Sequence, residues 1–497
     1  MKLLVLATLF SFGLSAQFSL TPAPAYMAGW SQLLSNASTA SWSPSGTQIA
    51  YDQDQLSGPQ AGYWQLWLMN ADASGQTCIT CTGASGVGVL QQVFSVVTGT
   101  GGTLAVSGTW TTATPTSPCT GSGATGTYTA SSGNLTGLVI SNGGTGYNCP
   151  PTLVFSGGGS LGTSTYYLPA LPGVNYGNPR WSMTGNFTTF QAQCGPTLGS
   201  ATLDGPGFPG SGWNNDLWAT DTHGHFWQLT NQCGGNIGIG TGGVIYATFS
   251  WDNTKLVWGQ RLALTCSGEG SFYGEWELAL ATWSEAGGVP SISSTAYYAP
   301  GTNQCYYEPH AFDQSNTNVF FMGNEDSGMQ PDAMNIYTYQ WSTNTLSNLT
   351  GNLNQWSEWP TALPSGSLTG NRLVYMSTVG TNWSGASVEH PAFQCDLWSM
   401  NYDGSDKVRL TYFNLPGNSN YVNYGTAPSG GNYGICLCAP SWNPYTSEFL
   451  VNNNQQAAFG AANLGAKTPG QMWLLNIGVV SSGAFPGSGL FPGSGLQ

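Results

Sequence analysis

Residues 41–51 read Ser-Trp-Ser-Pro-Ser-Gly-Thr-Gln-Ile-Ala-Tyr, which is an aromatic anchor, a small polar turn and then an alternating strand. A second strand follows as Gln65-Leu66-Trp67-Leu68-Met69-Asn70, and after a turn at 72–75 comes Thr77-Cys78-Ile79-Thr80. Runs of β-branched and aromatic residues bounded by Gly, Pro, Asn and Ser are typical of antiparallel strands. This stretch therefore predicts an antiparallel sheet of consecutive strands.

The same order of signals recurs along the chain. The strands that correspond to 65–70 are 216–220, 276–280, 335–339, 396–400 and 471–475. Six units, each read as strand, strand, loop, strand, turn, strand, indicate a repeat architecture. The sixth unit stops after its third strand, and Trp30-Ser31-Gln32-Leu33-Leu34 before the first unit has the character of a fourth strand. We therefore predict an all-β, six-bladed β-propeller that the N-terminal strand closes, so that no sheet edge stays open.

The turns of these units resemble those of a known family. The TolB-like, WD-type propeller repeat has Trp-Ser-Pro-Asp-Gly before one strand, a Met-Asn-x-Asp-Gly-like turn and a strand that ends in Leu-Thr. Its best copies here are Trp42-Ser43-Pro44-Ser45-Gly46 with Leu68-Met69-Asn70-Ala71-Asp72, and Ser399-Met400-Asn401-Tyr402-Asp403-Gly404 with Arg409-Leu410-Thr411. In other units Asp252-Asn253 and Asn316 stand where the family has Asp-Gly. The resemblance implies the fold, but such propellers serve as binding platforms, peptidase side-domains and enzymes, so it does not select a function.

Residues 82–177 do not follow the repeat. No charged residue lies between Asp72 and Arg180, and the stretch consists of Gly, Ser, Thr and short apolar runs. Its Val, Ile, Phe and Tyr content favours a β-rich Gly/Ser/Thr insert between blades one and two over the alternative, a disordered low-complexity linker. The predicted organisation is a signal peptide at 1–16, the closing strand and blade one at 17–81, the insert at 82–177, blades two to six at 178–480 and a Gly/Pro-rich tail at 481–497.

Composition and the N-terminus narrow the classes of protein. Only 6% of residues are charged, and 22 acids against 8 Lys and Arg give a net charge of -14, which argues against a nucleic-acid partner. Lys2, an apolar run to Leu14 and small residues before Gln17 are typical of a signal peptide. That run is too short to cross a bilayer, for which a helix needs roughly 20 apolar residues. We predict a secreted or periplasmic protein without a membrane span.

Eleven cysteines in an exported chain favour disulfides. Their order predicts local pairs and leaves one thiol over: Cys78 with Cys81, Cys119 with Cys149, Cys194 with Cys233, Cys266 with Cys305, and Cys395 with Cys436 or Cys438. The alternative for Cys78 and Cys81 is a zinc or redox site, but a lone CxxC without a second pair is a weak signal for one. We predict no metal and no cofactor, with a loop-bound divalent cation as the open alternative.

Residues just before the first strand of each blade are expected to ring the mouth of the central channel. In this chain they include Arg180, Glu308, His310 and Glu358. A carboxyl beside an imidazole, as in Glu308-Pro309-His310, can do acid–base chemistry or hold a metal if both side chains point inward. The alternative is that charged residues simply favour long solvated loops. Trp356 and Trp359 fall in the same predicted loops, where exposed aromatics stack on sugars or serve protein interfaces.

Three functions compete. The degenerate repeats and the uncharged insert favour a non-catalytic binding or extracellular assembly module, in a surface structure or filament, that has a protein partner or self-associates. The directly repeated Phe-Pro-Gly-Ser-Gly-Leu of 485–490 and 491–496 is either a flexible, slightly apolar end or a docking arm for self-association. The second function is a carbohydrate-active enzyme, a polysaccharide lyase or glycosidase, with a glycan bound at the channel mouth. The third, which the family resemblance implies, is a periplasmic partner of an envelope complex.

Overall fold

The computed structural model describes residues 27–477 with gaps in the chain. The gaps are 56–62, 82, 85, 118, 172–174, 195–211, 233–241, 264–273, 302–305, 327–328, 330–332, 364–370, 382–393, 416, 419–436, 446–447 and 454–469. The predicted signal peptide and the predicted tail both lie outside the described residues. Within the described part, no helix is both long enough and apolar enough to cross a membrane.

Strands make up nearly all of the regular structure. The first four are β1 (Met27–Trp42), β2 (Gln48–Asp54), β3 (Trp64–Asn70) and β4 (Thr77–Cys78). The next six are β5 (Ser95–Val97), β6 (Ser107–Thr112), β7 (Ser122–Ser131), β8 (Asn134–Thr145), β9 (Leu153–Phe155) and β10 (Thr165–Tyr167). Then follow β11 (Tyr176–Trp181), β12 (Thr188–Gln193), β13 (Asn215–Thr220), β14 (Phe226–Gln228), β15 (Val244–Phe249), β16 (Lys255–Ala263), β17 (Glu275–Ser284) and β18 (Ser291–Tyr298), with one 3-10 turn at Ala286–Gly288. The last are β19 (Tyr307–Phe312), β20 (Asn318–Gly323), β21 (Asn335–Gln340), β22 (Thr345–Asn348), β23 (Ser357–Ala362), β24 (Arg372–Ser377), β25 (Asp396–Asn401), β26 (Val408–Arg409), β27 (Leu437–Trp442), β28 (Glu448–Asn453) and β29 (Gly470–Ile477).

Consecutive strands pair into antiparallel sheets. Four sheets have four strands each, in sequence order: β11–β14, β15–β18, β19–β22 and β23–β26. A seven-stranded sheet runs β27-β28-β29-β1-β2-β3-β4, because β1 pairs with β29 from Met27 to Ala37 and with β2 from Ala37 to Trp42. The predicted closure by the N-terminal strand is confirmed. It differs in one respect, since the closing strand and the first strand of blade one are a single 16-residue strand.

The sheets follow one another in a ring. The first strand of each four-stranded unit contacts strands of the preceding unit: β11 lies against β1–β3, β15 against β11–β13, β19 against β15–β17, β23 against β19–β21, β27 against β23 and β24, and β1 against β27 and β28. Strands such as β12, β13 and β24 are buried along their whole length, as expected when both faces of a sheet are covered. The predicted all-β propeller is thus confirmed, with four four-stranded sheets and one seven-stranded sheet among the described residues of the ring, and the number of six blades stays a prediction.

Strands β5–β10 lie between the first and second units. Strands β6–β9 form a four-stranded sheet in the order β8-β7-β6-β9, and β5 pairs with β10. Trp110, Tyr128 and Leu135 belong to a buried cluster that is separate from the clusters between the propeller sheets. The described part of the insert is β-structured, whereas its exact boundaries stay a prediction.

Disulfides stabilise two of the predicted loops. Cys78 is bonded to Cys81 and Cys119 to Cys149, with Cα–Cα distances of 5.6 and 5.5 Å. Cys194 and Cys395 are disulfide-bonded as well. Cys233, Cys266, Cys305 and Cys436 lie outside the described residues, as does the side chain of Cys438, so the remaining pairings stay predictions.

Candidate functional site

Every first strand of the ring carries a β-bulge at the same place. The register shifts after Ala37, Gly177, Ile245, Pro309, Glu358 and Cys438. A bulge leaves a residue out of the ladder and redirects its side chain. Proline, which has no N–H to donate, is tolerated there: Pro179, Pro360 and Pro440 occupy three of the bulges, and Pro309 directly precedes a fourth. Asn178, Tyr246, Trp359 and Ala439 have positive φ angles of 54°, 35°, 52° and 48°, so the irregularity is built into most of these strands.

Of the four predicted site residues, His310 lies in a bulge, and Arg180, Glu308 and Glu358 are paired residues within two positions of one. Arg180 is in β11, Glu308 and His310 are in β19, and Glu358 is in β23. The prediction that they precede the first strands was wrong, because they lie inside the strands. Glu308, His310 and Glu358 are buried, with exposed fractions of 2%, 7% and 8%. The alternative that they are solvated loop residues is therefore wrong as well.

Glu308 and His310 form the centre of this cluster. His310 Nε2 lies 3.0 Å from Glu308 Oε1, although the angle is not that of a hydrogen bond, and Tyr306 donates its hydroxyl to Glu308 Oε2 at 2.5 Å. Burial raises the pKa of Glu308 to about 8, although the Tyr306 hydroxyl and Arg180 act to lower it. Burial also lowers the pKa of His310 well below its usual value, and Arg180 adds to that effect. At neutral pH the pair is mostly a protonated carboxyl beside a neutral imidazole.

Glu358 is the second buried carboxyl. Its Oε2 accepts a hydrogen bond from Trp356 Nε1 at 2.7 Å. Burial raises its pKa well above the usual value, and the neighbouring Glu308 raises it further. Two carboxyls that share a dry site cannot both ionise without a large cost, so protonation of both relieves the repulsion.

Arg180 brings a positive charge to the same place. Its guanidinium lies 5.5 Å from the centre of the Tyr246 ring, and Nη1 donates to the carbonyls of Ala40 and Pro179 at 3.3 Å each. It forms no ion pair with any described residue. The nearby Asp52 carboxylate accepts instead from the Thr39 amide at 2.9 Å and the Asn178 amide at 2.8 Å. Asp52 thereby links β2 to β1 and β11.

Aromatic residues complete the cluster, and Tyr246 among them was not a predicted site residue. The ring centres of Tyr246 and His310 are 4.8 Å apart, and the Trp359 ring lies 6.4 Å from Tyr246 and 6.5 Å from His310. The expectation that Trp356 and Trp359 are exposed loop aromatics was wrong, because Trp356 is 7% exposed and Trp359 lies in β23. Aligning the units on the ends of their first strands would have found them, because Asn178, Tyr246 and Trp359 occupy one repeat position.

A cavity of about 150 Å³ lies next to the cluster. Each of the six first strands contributes to its wall: Ser41, Arg180, Thr248, His310, Thr361 and Ser441 are among the lining residues. Pro44, Met183, Trp251 and Pro444, in the turns that follow the first strands, line it too. We call the surface formed by these turns the turn face. The cavity reaches the turn face, which is the end of the first strands opposite to the predicted channel mouth.

Comparison with known proteins adds little to this picture. No known family model matches the sequence, and no curated protein matches it either. Among solved structures, a protein described as TolB from Agrobacterium tumefaciens is 13% identical with a TM-score of 0.33, over 60% of this chain and 76% of that chain. TolB from Acinetobacter baumannii is 12% identical with a TM-score of 0.27, over 72% and 62%. An acylaminoacyl peptidase from Pyrococcus horikoshii is 8% identical with a TM-score of 0.34, over 89% of this chain and 51% of its own. The chain thus spans about half the length of that peptidase.

Proposed function

We propose that this protein is a secreted, non-catalytic binding module whose ligand enters the central cavity from the turn face. The observation that carries the proposal is the cavity itself, which all six first strands bound and which contains the Arg180 guanidinium in its wall. Burying a cation without a counter-ion costs stability. A central channel is general for propellers, whereas a guanidinium in its wall is not required for closing the ring, and an anionic ligand explains that charge.

The protonation states of the buried glutamates and of His310 favour a binding function over a glycosidase or lyase. Acid–base catalysis needs one protonated and one ionised group poised near the working pH. Here burial favours the neutral forms of Glu308, Glu358 and His310. Neither glutamate is among the cavity-lining residues, so neither is placed against a substrate in that cavity.

A fragment screen by ligand-observed NMR tests the proposal on the mature protein. The variant Thr248→Met fills the cavity from β15, and Val289→Met, at a residue that is 49% exposed outside the cavity, is the matched control. We expect hits that bind the wild type and the control but not Thr248→Met. Hits that all persist in Thr248→Met would contradict the proposal. Polysaccharide cleavage that Glu308→Gln abolishes would instead favour the enzyme.

Self-association is the second candidate, and the insert supports it. Thr109, Thr127 and Val139 pair across β6, β7 and β8 on an exposed face of the sheet. Val106, Val139 and Val154 are 78%, 61% and 52% exposed, and no charged residue lies in 73–179. Copies that carry a net charge of -14 repel each other, and this face is where two copies meet with the least repulsion.

Sedimentation velocity over a range of protein concentrations tests this second candidate. Val139→Lys puts a charge on the insert face, and Val289→Lys is the control at a similarly exposed valine elsewhere. We expect Val139→Lys, but not the control, to lose association. Deleting 481–497 reports separately on the repeated tail, which lies outside the described residues. A wild-type protein that stays monomeric at high concentration would contradict self-association.

Export is part of the proposal as well. The predicted signal peptide and the disulfides support a secreted or periplasmic location, and the TolB-like repeat supports a partner in an envelope complex. Fractionation of expressing cells with N-terminal sequencing tests the location. We expect a mature protein outside the cytoplasm that begins at Gln17, and an uncleaved cytoplasmic protein would contradict export.

A further inference from the structure

We infer that the cavity on the turn face selects a small organic anion, a carboxylate with a compact apolar body. The inference rests on the proposed binding function and adds the chemical class of the ligand. It follows from the charge of the wall, from the free donors of Arg180 and from the size and chemistry of the space.

The wall of the cavity has an unusual charge for this protein. The whole chain has 22 acids against 8 Lys and Arg, yet among the described residues that line the cavity only Arg180 has a formal charge, besides the titratable His310. Two carboxyl groups act electrostatically on Arg180, Glu308 more strongly than Asp52. Neither lines the cavity, and Asp52 is held by the amides of Thr39 and Asn178. A ligand therefore meets a positive wall inside an acidic molecule.

Arg180 keeps hydrogen-bond donors for a ligand. A guanidinium has five N–H donors in a planar fork, and only Nη1 bonds to described residues, through two long contacts to the Ala40 and Pro179 carbonyls. The Tyr246 ring lies 5.5 Å from the guanidinium and limits its movement. Two parallel N–H groups match the two oxygens of a carboxylate.

A hydroxyl in the same wall supports an acceptor-rich ligand. Ser441 Oγ accepts a hydrogen bond from the Trp42 amide at 3.2 Å. It has no acceptor for its own proton among the described residues, so it can donate to an oxygen of the ligand.

The rest of the wall fits an apolar body. Trp251, Trp442, Phe312 and Pro444 line the side toward the turn face. The volume of about 150 Å³ matches a cavity that holds one benzene molecule. A ring or a short branched chain that bears one carboxylate fills this space and places its charge next to Arg180.

Isothermal titration with benzoate and with benzamide tests the inference. The two probes have nearly the same shape, and only benzoate is charged. We expect the wild type to bind benzoate at least about tenfold more tightly than benzamide, because a hydrogen bond to a charged group is worth about 1.5–3 kcal/mol. Thr248→Met should lose benzoate, and Val289→Met should retain it.

The variant Arg180→Met should weaken benzoate to the level of benzamide, and its circular dichroism spectrum shows whether it folds. If it does not fold, the comparison of the two probes on the wild type still decides. Equal binding of both probes would overturn the anion class while leaving the proposed binding function intact. If neither probe binds, but a neutral fragment binds the wild type and not Thr248→Met, the anion class is likewise overturned and the proposed binding function stands. Benzoate that binds Thr248→Met as well as the wild type would place its site elsewhere and overturn the inference.

Discussion

At the scale of single residues, the buried Glu308 gives the stability of the protein a pH dependence. Its pKa is about 8 in the folded protein and 4.5 when unperturbed, so between these values the folded state binds more protons than the unfolded state. Stability therefore falls as the pH rises through this window. His310, whose folded pKa lies below 6.5, acts in the opposite direction but only below pH 6.5. The interval from pH 6.5 to 8 thus isolates the effect of the carboxyls.

We expect Glu308→Gln to remove much of the loss of stability between pH 6.5 and 8. Gln keeps an acceptor for the Tyr306 hydroxyl but cannot ionise. Because Glu358 also has a raised pKa and remains in place, the fall in melting temperature should shrink by about half rather than vanish. Thermal melts at the two pH values measure this.

The control for this experiment is Asp72→Asn. Asp72 is an exposed carboxyl, and hydrogen bonds donated by Ser74 lower its pKa. Its effect on the pH dependence of stability is therefore confined to acid pH. It should leave the interval from pH 6.5 to 8 unchanged. A wild type whose melting temperature is flat across this interval would show that Glu308 is not protonated in the folded state.

The sequence predicted which charged residues gather in the channel but not how. Arg180, Glu308, His310 and Glu358 are few enough in a weakly charged chain to stand out. The bulges in or next to which they lie have no periodic signature, and Pro179, Pro309 and Pro360 suggested loops rather than strand interiors. The aromatic neighbours such as Tyr246 looked like ordinary strand residues, because burial and alternation do not distinguish a channel from a core.

At the scale of the structural elements, one hydrogen-bond pattern explains why the repeat ends in Leu-Thr. In four units the threonine after the fourth strand donates to the first residues of the third strand: Thr80 to Gln65, Thr230 to Asp216, Thr350 to Asn335 and Thr411 to Asp396. The same hydroxyls accept from the amides of Leu66, Leu217, Ile336 and Leu397. The threonine thus joins the outer edge of each sheet to its third strand.

Thr350→Val should lower the free energy of unfolding by about 1–3 kcal/mol. The exchange keeps the shape but removes the acceptor of the Ile336 amide at 3.0 Å and one of the two donors to Asn335 Oδ1, at 2.7 Å, which keeps the Asn352 amide. An unpaired buried amide carries this cost. Urea denaturation measures it. Thr345→Val, at an exposed position in β22, should change stability by less than about 0.5 kcal/mol. Equal effects of the two substitutions would contradict this role of the threonine.

The asparagines that replace Gly in the turns have a role of their own. Asn253 has a φ of 56°, and its Oδ1 accepts from the Met183 amide of the neighbouring unit at 2.8 Å. Asn316 likewise has a φ of 57° and accepts from the Trp251 amide at 2.7 Å. Asn tolerates this left-handed conformation better than most residues. Where the family motif has Gly, these two asparagines therefore add a hydrogen bond between neighbouring units.

Comparing Asn253→Gly with Asn253→Ala separates the two contributions. Both lose the hydrogen bonds of the side chain with the Met183 amide and with Glu285 Oε1, which should cost about 1 kcal/mol each. Only Ala also pays for a left-handed backbone, so we expect Asn253→Ala to be about 1 kcal/mol less stable than Asn253→Gly in urea. Equal stabilities would show that the backbone strain is relieved elsewhere.

At the scale of the whole molecule, counting strands sufficed to predict the closure. The first unit is preceded by one extra strand and the last unit lacks its fourth strand, so pairing the two closes a ring. Strand β1 runs unbroken from Met27 to Trp42, and the sequence did not predict this. Between the closing half and the blade-one half of this strand there is no turn signal, but there is no continuous alternation of apolar and polar residues either. The end of the channel at which the cavity opens depends on how six first strands pack together, and no single unit encodes it.

The strand pairing that closes the ring can be removed by deletion. Residues Met27–Leu34 pair with Met472–Ile477 of β29, so deleting 17–34 from the mature chain exposes the edge of the last sheet. Unpaired strand edges recruit other chains, and the last unit would lose a whole strand of backbone hydrogen bonds. We therefore expect a lower melting temperature and concentration-dependent aggregation, measured by thermal melts and light scattering. The matched control deletes only 17–26 and leaves all of β1, so it should melt like the full mature protein. If the 17–34 deletion melts like that control and stays monomeric, β1 does not stabilise the ring, and the closure seen in the strand pairing has no energetic importance.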